Sequence, residues 1–481
     1  MNSPDFEQWL VQERSRQRKR GYPHFDERVS IGKDRNTIRG KLLNPKAIAG
    51  HRFVPFIAYI KETPKYKKTG ELDDKGRAIR AKDKKPRPIA YASHWDALIY
   101  SWYAEILTAR YVHVVKEKGT YACVSAYLRK GESNVENAHE AFEFIKSKGE
   151  CMAMAFDLTS FFDTLDHFQL KRNWCEVLNT PKLPDDHHAI YKSITRYRTV
   201  NRSDLFKVFP EFRRSAKKKV FVPLICNKGD FVGQVVRGGY VHENSNRNKR
   251  EGSARLGLIC GVPQGSPISA CLSNVYMLHF DSTMDALAQS VGGLYRRYSD
   301  DILFICAPND ALRVKSALLE ELVRHELTLN NDKTEELVFR RDKAGRLACY
   351  DVTNGKHEKA GKLQYLGFEF DGSRVYIRSS SFSRYQARLR ARIRKALALA
   401  HGGQTISPTV FRRKMFNRNT DKGRRNFITY ARDAAVILDS PEIKRQIRNN
   451  NRKVKVLLEK MESELLARKN ELRGRQASLI K

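Results

Sequence analysis

The chain has 481 residues, and its 90 Lys and Arg against 54 Asp and Glu leave a formal net charge of +36. That length predicts two to four compact lobes rather than one small core, and the charge excess calls for a polyanion, nucleic acid first, over a neutral metabolite. No apolar run approaches the roughly 20 residues that span a bilayer, and Met1 to Gly21 is too polar for a secretory leader, so no membrane partner and a cytoplasmic location are expected. The eight cysteines are widely spread with no C-x-x-C pair, which predicts reduced, mostly buried thiols rather than a zinc site.

Along the chain, residues 1 to 85 are polar and basic, and KETPKYKKTGELDDKGRAIRAKDKKPRP at 61 to 88 predicts an extended basic hairpin or loop region. From Ile89 to about Lys146 apolar residues return at helical spacing, so helices are expected. CMAMAF, 151 to 156, is a compact apolar run that predicts a buried strand delivering Asp157 at its tip, with a helix after it. Residues 180 to 256 mix turn residues, short apolar pieces and basic clusters, as an elaboration on a core would. GVPQGSPISACLSNVYMLHFD, 261 to 281, passes from a Gly and Pro rich loop into an apolar helix, with Ser266 or Ser269 as caps and Pro267 near the first turn. LYRRY and ILFIC predict two strands of a tight hairpin around Ser299, Asp300 and Asp301. KLQYLGFEFDGSRVYIR, 362 to 378, predicts a second hairpin turned by Asp371 and Gly372. SRYQARLRARIRKAL, 383 to 397, carries Tyr385, Leu389, Ile393 and Leu397 every four residues, and Gly402 and Gly403 should end that helix. A last helix is expected to start at Ser440 and Pro441 and run toward the C-terminus.

RYSDDILFIC, 297 to 306, sets two like charges side by side between apolar strands. A solvated turn is the plain explanation, but strands buried on both faces reverse more readily through Gly or Asn. A divalent magnesium ion, held by carboxylates and substrate phosphates, offsets such repulsion. FDLTSFFD, 156 to 163, supplies Asp157 from a separate strand end, so that three carboxylates could converge. Two-metal phosphoryl transfer needs that donor set: one ion lowers the pKa of an attacking 3′ hydroxyl and the other steadies the leaving pyrophosphate.

These residues resemble a known family. YSDD at 298 to 301 resembles the Y-x-D-D box of reverse transcriptases, FDLTSFFD their first palm motif, and PQGSPISACLSN at 263 to 274 the loop and helix supporting template and nucleotide. LTLNNDKTE at 327 to 335 and LQYLGFEF at 363 to 370 resemble the fourth and fifth motifs, the latter a primer-grip hairpin. The resemblance implies an α+β right hand: N-terminal extension and fingers over 1–150, a palm with an antiparallel sheet over 151–378 with an insertion at about 180–256, and a helical basic thumb over 379–481. It implies Asp157, Asp300 and Asp301 as metal carboxylates for two Mg2+ ions, which Mn2+ could replace, with the Leu158 carbonyl as a further ligand. Gln264, Gly265 and Ser266 would contact template and nucleotide, and Tyr298, Leu366 and Gly367 the nucleic acid. Lys333 is the candidate proton donor to pyrophosphate, beside the plainer reading of a solvated lysine. Arg87 resembles the fingers arginine that clamps the triphosphate, with Lys84 and Lys85 as substitutes for it.

Phe162, five residues after Asp157, stands where the family carries a ring beneath the sugar, which would collide with a ribose 2′ hydroxyl and so favours dNTPs; one of Phe161 and Phe162 is expected to be plain core. The basic helix 383–397 could turn Arg388, Arg392 and Lys395 toward the phosphates of the template and its DNA product. No zinc or nuclease cluster follows, the V-T-G signature of retron enzymes is absent, and about 100 residues separate Asp163 from Gly261. The chain thus resembles the bacterial defence-associated, "unknown group", reverse transcriptases, which are related to retron and group II intron enzymes and copy a structured noncoding RNA. A template-independent or protein-primed terminal transferase and a non-catalytic maturase-like RNA-binding scaffold stay open beside the polymerase, as does a homo-oligomer.

Overall fold

The structure, a computed structural model, describes residues 4–17, 22–72, 78–128, 133–213, 224–353, 355, 359–401 and 408–478, without the side chains of 17, 64–83, 85, 408–411 and 472–478. Its strands are β1 (Phe56–Leu72), β2 (Ala78–Tyr91), β3 (Cys151–Asp157), β4 (Arg198–Asn201), β5 (Val241–Glu243), β6 (Leu294–Tyr298), β7 (Asp301–Cys306), β8 (Glu335–Arg341), β9 (Leu347–Asp351), β10 (Lys359–Ala360), β11 (Leu363–Tyr365), β12 (Phe368–Phe370) and β13 (Val375–Ile377). They form an antiparallel central sheet in the order β10-β9-β8-β3-β7-β6, a second sheet β2-β1-β4-β5 and a small one β11-β12-β13.

The central strand β3 reads CMAMAFD without polar alternation because both of its faces are covered. Met152, Met154 and Phe156 pack into one core with Trp102, Tyr276 and Phe304, a core walled by the helices His94–Glu117, Ser269–Tyr276 and Ala311–Arg324. Cys151 and Ala153 face a second core with Phe142, Phe339, Phe370 and Ala434. Its neighbour β7 divides in the same way, Ile302 and Phe304 to one side and Leu303 and Ile305 to the other. A sheet sandwiched between two apolar layers holds its strand ends rigidly, and those ends carry the acids.

In its described part the basic stretch at 61 to 88 pairs β1 with β2 antiparallel, which fits the hairpin expected there. The 180–256 elaboration feeds β4 and β5 into that hairpin's sheet, with β4 parallel to β1 (Phe56 beside Thr199). Three sequence expectations need correction. The helix after PQGSPI begins at Ser269 with Ile268 at its cap position, and neither serine caps it: Ser269 Oγ donates instead to the Pro263 carbonyl at 2.7 Å, tying the loop back on itself. The segment 362 to 378 has three strands, because Leu366 and Gly367 (φ 47° and 97°) add a turn before the one at Asp371 and Gly372. The last helix starts at Ser440, whose hydroxyl accepts from Ile443 N, but stops at Ile447; Asn449 is left-handed (φ 59°), and a second helix runs Asn450–Ser478.

Tyr385, Leu389, Ile393 and Leu397 are the buried stripe of the helix Ser379–Ala400, packed on Met415, Ile428, Val454 and Leu458. Gly402 and Gly403 lie outside the described residues. All eight cysteines are free thiols, seven of them buried, and burial pushes Cys271 up to about 12. Among the described residues no helix is long and apolar enough to cross a membrane.

Candidate active site

Strand β3 ends at Asp157 and β7 begins at Asp301, and in the antiparallel register these two residues are cross-strand partners. Directly opposed residues on one sheet are neighbours at about 5 Å between Cα atoms. The β6–β7 connection is the two-residue turn Ser299–Asp300, closed by Tyr298 opposite Asp301. Ser299 carries φ 61°, the left-handed conformation that a tight hairpin of this length demands. The Asp300 carbonyl accepts from Leu158 N at 3.3 Å, and Leu158 also bridges Leu329. Three distant segments, at 157–158, 300–301 and 328–333, thus meet at one point.

The third segment meets Asp157 directly. Asn330 N donates to the Asp157 carbonyl at 2.8 Å and its side-chain amide to Oδ2 at 3.3 Å, while Lys333 Nζ pairs with the same Oδ2. Surrounding protein, then the negative charges of Asp300 and Asp157, pushes the Asp301 carboxyl up to about 6, against pulls from Lys333 and Arg378. Asp301 nevertheless stays accessible to solvent. Among the described residues no three acidic, His or Cys side chains stand close enough together to hold a metal as they are. The donor set still suits a hard divalent cation, because Asp157, Asp300, Asp301 and the Leu158 carbonyl offer oxygen alone and repulsion raises the carboxyl that a cation would lower.

What holds this turn was not legible as a motif. Arg297 is fully buried and forks onto the fully buried Asp281, Nε to Oδ1 at 2.7 Å and Nη2 to Oδ2 at 2.6 Å. Its Nη1 donates to Asn274 Oδ1 and to the Ser299 carbonyl, each at 3.1 Å, so the guanidinium pins the backbone of the acidic turn. Tyr295 Oη adds a bond to Asp281 at 2.7 Å. The one available signal was the pair of arginines inside LYRRY, two charges in a strand that is otherwise placed to be buried.

The PQG loop meets β2 where the Gln264 carbonyl accepts from Ala90 N at 2.8 Å. Gly265 (φ 118°) is required there, since a Cβ would stand 2.8 Å from the Ala90 carbonyl oxygen. Ser266 is buried, and its Oγ finds no partner among the described residues. Arg87 is exposed on β2, three residues before that junction, opposite Lys61; the side chain of Lys85 lies outside the described residues. Phe161 is core, as expected of one of the two rings, and Phe162 is half-buried beside it, ring centres 5.5 Å apart. Tyr298 is half-buried, 6.3 Å from the ring of Tyr127.

Leu366 and Gly367 sit at the β11–β12 turn, where the Leu366 carbonyl accepts from Asn134 Nδ2 at 2.7 Å. Gly367 borders a groove of about 660 Å3 lined by Arg384, Arg388, Arg392, Arg418, Arg424 and Arg425, with no acidic residue on its walls among the described residues. Arg388, Arg392 and Lys395 are all exposed on one helix, but Lys395 is not part of the groove. Sequence reading missed the other four arginines, because three of them arrive from a different segment.

Residues 79–370, more than half of the chain, match the family model described as reverse transcriptase (RNA-dependent DNA polymerase). Among solved structures, the chain is similar to apo telomerase from Candida tropicalis truncated from the C-terminal domain, at 12% identity and TM-score 0.40, over 67% of this chain and 57% of that one. It is also similar to telomerase from Candida albicans with a TWJ fragment of telomeric RNA, at 12% identity and TM-score 0.36, over 84% of this chain and 56% of that one. The chain therefore spans little more than half the length of these two. With the motif order and the sandwiched antiparallel sheet, the match to the family model places the chain in the reverse transcriptase (RNA-dependent DNA polymerase) family, with its α+β right-hand fold.

Proposed function

We propose that the protein polymerises dNTPs into DNA on a bound, structured noncoding RNA template, and that the three segments meeting at Asp157, Asp300 and Asp301 are its catalytic centre. The register of Asp157 against Asp301 carries this reading, because it brings acids 144 residues apart to one sheet end. Asp157, Asp300, Asp301 and the Leu158 carbonyl would hold Mg2+ or Mn2+, which when bound supplies Lewis-acid stabilisation of the attacking and leaving oxygens. The chain's own groups do the rest. Lys333, already paired with Asp157, is the proton donor to pyrophosphate; Arg87, with Lys85, takes the triphosphate; Gln264, Gly265 and the unpartnered hydroxyl of Ser266 position nucleotide and template. The half-buried Phe162 ring excludes a 2′ hydroxyl.

On this reading 1–150 contains the fingers, 151–378 the palm and 379–481 the thumb, with Tyr298, Leu366 and Gly367 gripping the primer and Arg388, Arg392 and Lys395 holding phosphates. The long 163–261 spacing and the missing V-T-G and nuclease signatures support the bacterial defence-associated group and an antiphage, cytoplasmic role. The test is incorporation of labelled dNTPs with magnesium on the RNA that co-purifies. Loss of DNA product after RNA digestion supports a templated polymerase; extension that survives digestion makes it a terminal transferase, and phage protection by Asp301→Asn makes it a scaffold.

A further inference from the structure

A cavity of about 640 Å3 opens where β1, β2 and β4 meet the Pro263–Gln264 loop, within the roughly 300–1,000 Å3 of small-ligand sites. Tyr59, Tyr197 and Phe206 line it with rings, and Asp163, Asn201 and Arg202 with polar groups. The Arg202 guanidinium lies 4.2 Å from the Tyr59 ring centre and 5.8 Å from that of Phe206, a flat cation already stacked among aromatics. The cavity adjoins the proposed nucleotide site, since Gln264 borders both and Asp163 follows Phe162. None of the roles above uses it.

Asp163 is the odd group in this wall. Among the described residues no hydrogen bond or ion pair engages its carboxylate, and burial alone raises its pKa. A carboxylate that opens into a cavity without a protein partner is left for water or for donors that a ligand brings. Rings and a stacked guanidinium make a platform for any flat base. An ionised carboxylate accepts only, through two parallel oxygens. Guanine alone among the four bases presents two neighbouring N–H groups on its pairing edge, the ring N–H and the amine; uracil would turn carbonyl oxygens toward the acid.

We propose that, before a nucleotide arrives to pair with it, this cavity takes one unpaired nucleobase, the template base just ahead of the paired duplex, and that Asp163 makes guanine the preferred base there. The proposal rests on the polymerase reading for its choice of strand. The test uses the full chain and RNA–DNA hybrids, either blunt or with a one-nucleotide template overhang of G, A, C, U or an abasic unit. Affinity is measured by fluorescence anisotropy without dNTPs or metal. The G overhang should bind about tenfold tighter than the abasic one, and Asp163→Asn should erase the preference for G while blunt-hybrid affinity is unchanged. Photocrosslinking of a 6-thioguanosine overhang to the unmodified protein should label Tyr59, Tyr197 or Phe206, a readout that needs no variant to fold. An overhang that adds nothing, a G preference that survives in Asp163→Asn, or crosslinks only outside these rings overturns the proposal. Incorporation without base-dependent overhang binding defeats the cavity and spares the polymerase; base-dependent binding without incorporation does the reverse.

Discussion

Two regions of this molecule gather like charges, and they do so in opposite ways. At the β6–β7 turn, Asp300 and Asp301 stand beside Asp157 on strand ends locked by the central sheet, by Leu158 and Asn330, and by a buried guanidinium. In the groove beside Gly367, six arginines extend from a helix and a separate segment, with no acid on the walls among the described residues. The acids are held by backbone; the arginines reach on long stems. A divalent ion tolerates ligand displacement of only tenths of an ångström, so its donors need a rigid frame. A phosphodiester backbone is a broad, repeating charge, and flexible cations suffice for it. The difference in construction is what the two proposed counter-charges call for, a metal at one place and nucleic acid at the other.

The comparison breaks most sharply at Asp301. Asp301→Asn should lower nucleotide incorporation on the order of 10³-fold while leaving the melting temperature unchanged or higher, because a carboxyl already raised by its surroundings is removed. A large loss of stability instead would mean that the acids are structural. Next in size is the frame itself. Arg297→Ala strands a fully buried Asp281, and loss of one partner from such a pair costs about 3–5 kcal/mol, measurable by urea unfolding. Activity should fall with it, since the Ser299 carbonyl loses its anchor.

Gly265→Ala sharpens the rigid side further. With a Cβ 2.8 Å from the Ala90 carbonyl oxygen and φ at 118°, strain of about 1–3 kcal/mol is expected, together with weaker nucleotide binding measured as a raised KM for dNTP. On the compliant side, replacing Arg418 and Arg424 by Ala should leave stability within about 0.5 kcal/mol. The slope of log affinity against log salt for duplex binding should flatten by about 1 for each phosphate that is no longer neutralised. An unchanged slope would remove nucleic acid from the groove.

The smallest expected effect is a pH control away from both regions. His24 is fully buried, and burial, then the nearby His94, lowers it to about 3. Below the unfolded value near 6.5 the unfolded chain therefore binds a proton that the native one refuses. This contribution to stability is complete above pH 7 and declines as pH falls toward 3. His24→Gln should flatten that part of the unfolding profile without touching duplex affinity at neutral pH.

The sequence by itself determined the local pieces. An apolar run ending in Asp157, two buried strands around Asp300 and Asp301, and Tyr385, Leu389, Ile393 and Leu397 at helical spacing each declare a partner-facing surface within a few residues. That one of Phe161 and Phe162 is core could be expected from the sequence, and the position five residues after Asp157, where the family carries a ring, singled out Phe162 as the other. The serine caps and the undivided last helix failed because local propensity is weak beside tertiary demands: Ser269 serves the loop through Pro263, and Asn449 turns the chain. Only the tertiary structure decided that Arg297 meets Asp281 from a different element, that Arg418, Arg424 and Arg425 join the helix arginines, and that Asp163 faces a cavity built from three strands. Spacing encodes the side a residue presents to its own element, and periodicity carries that much. Which other element arrives there is set by packing of the whole core, a property of all the layers together that no short stretch contains.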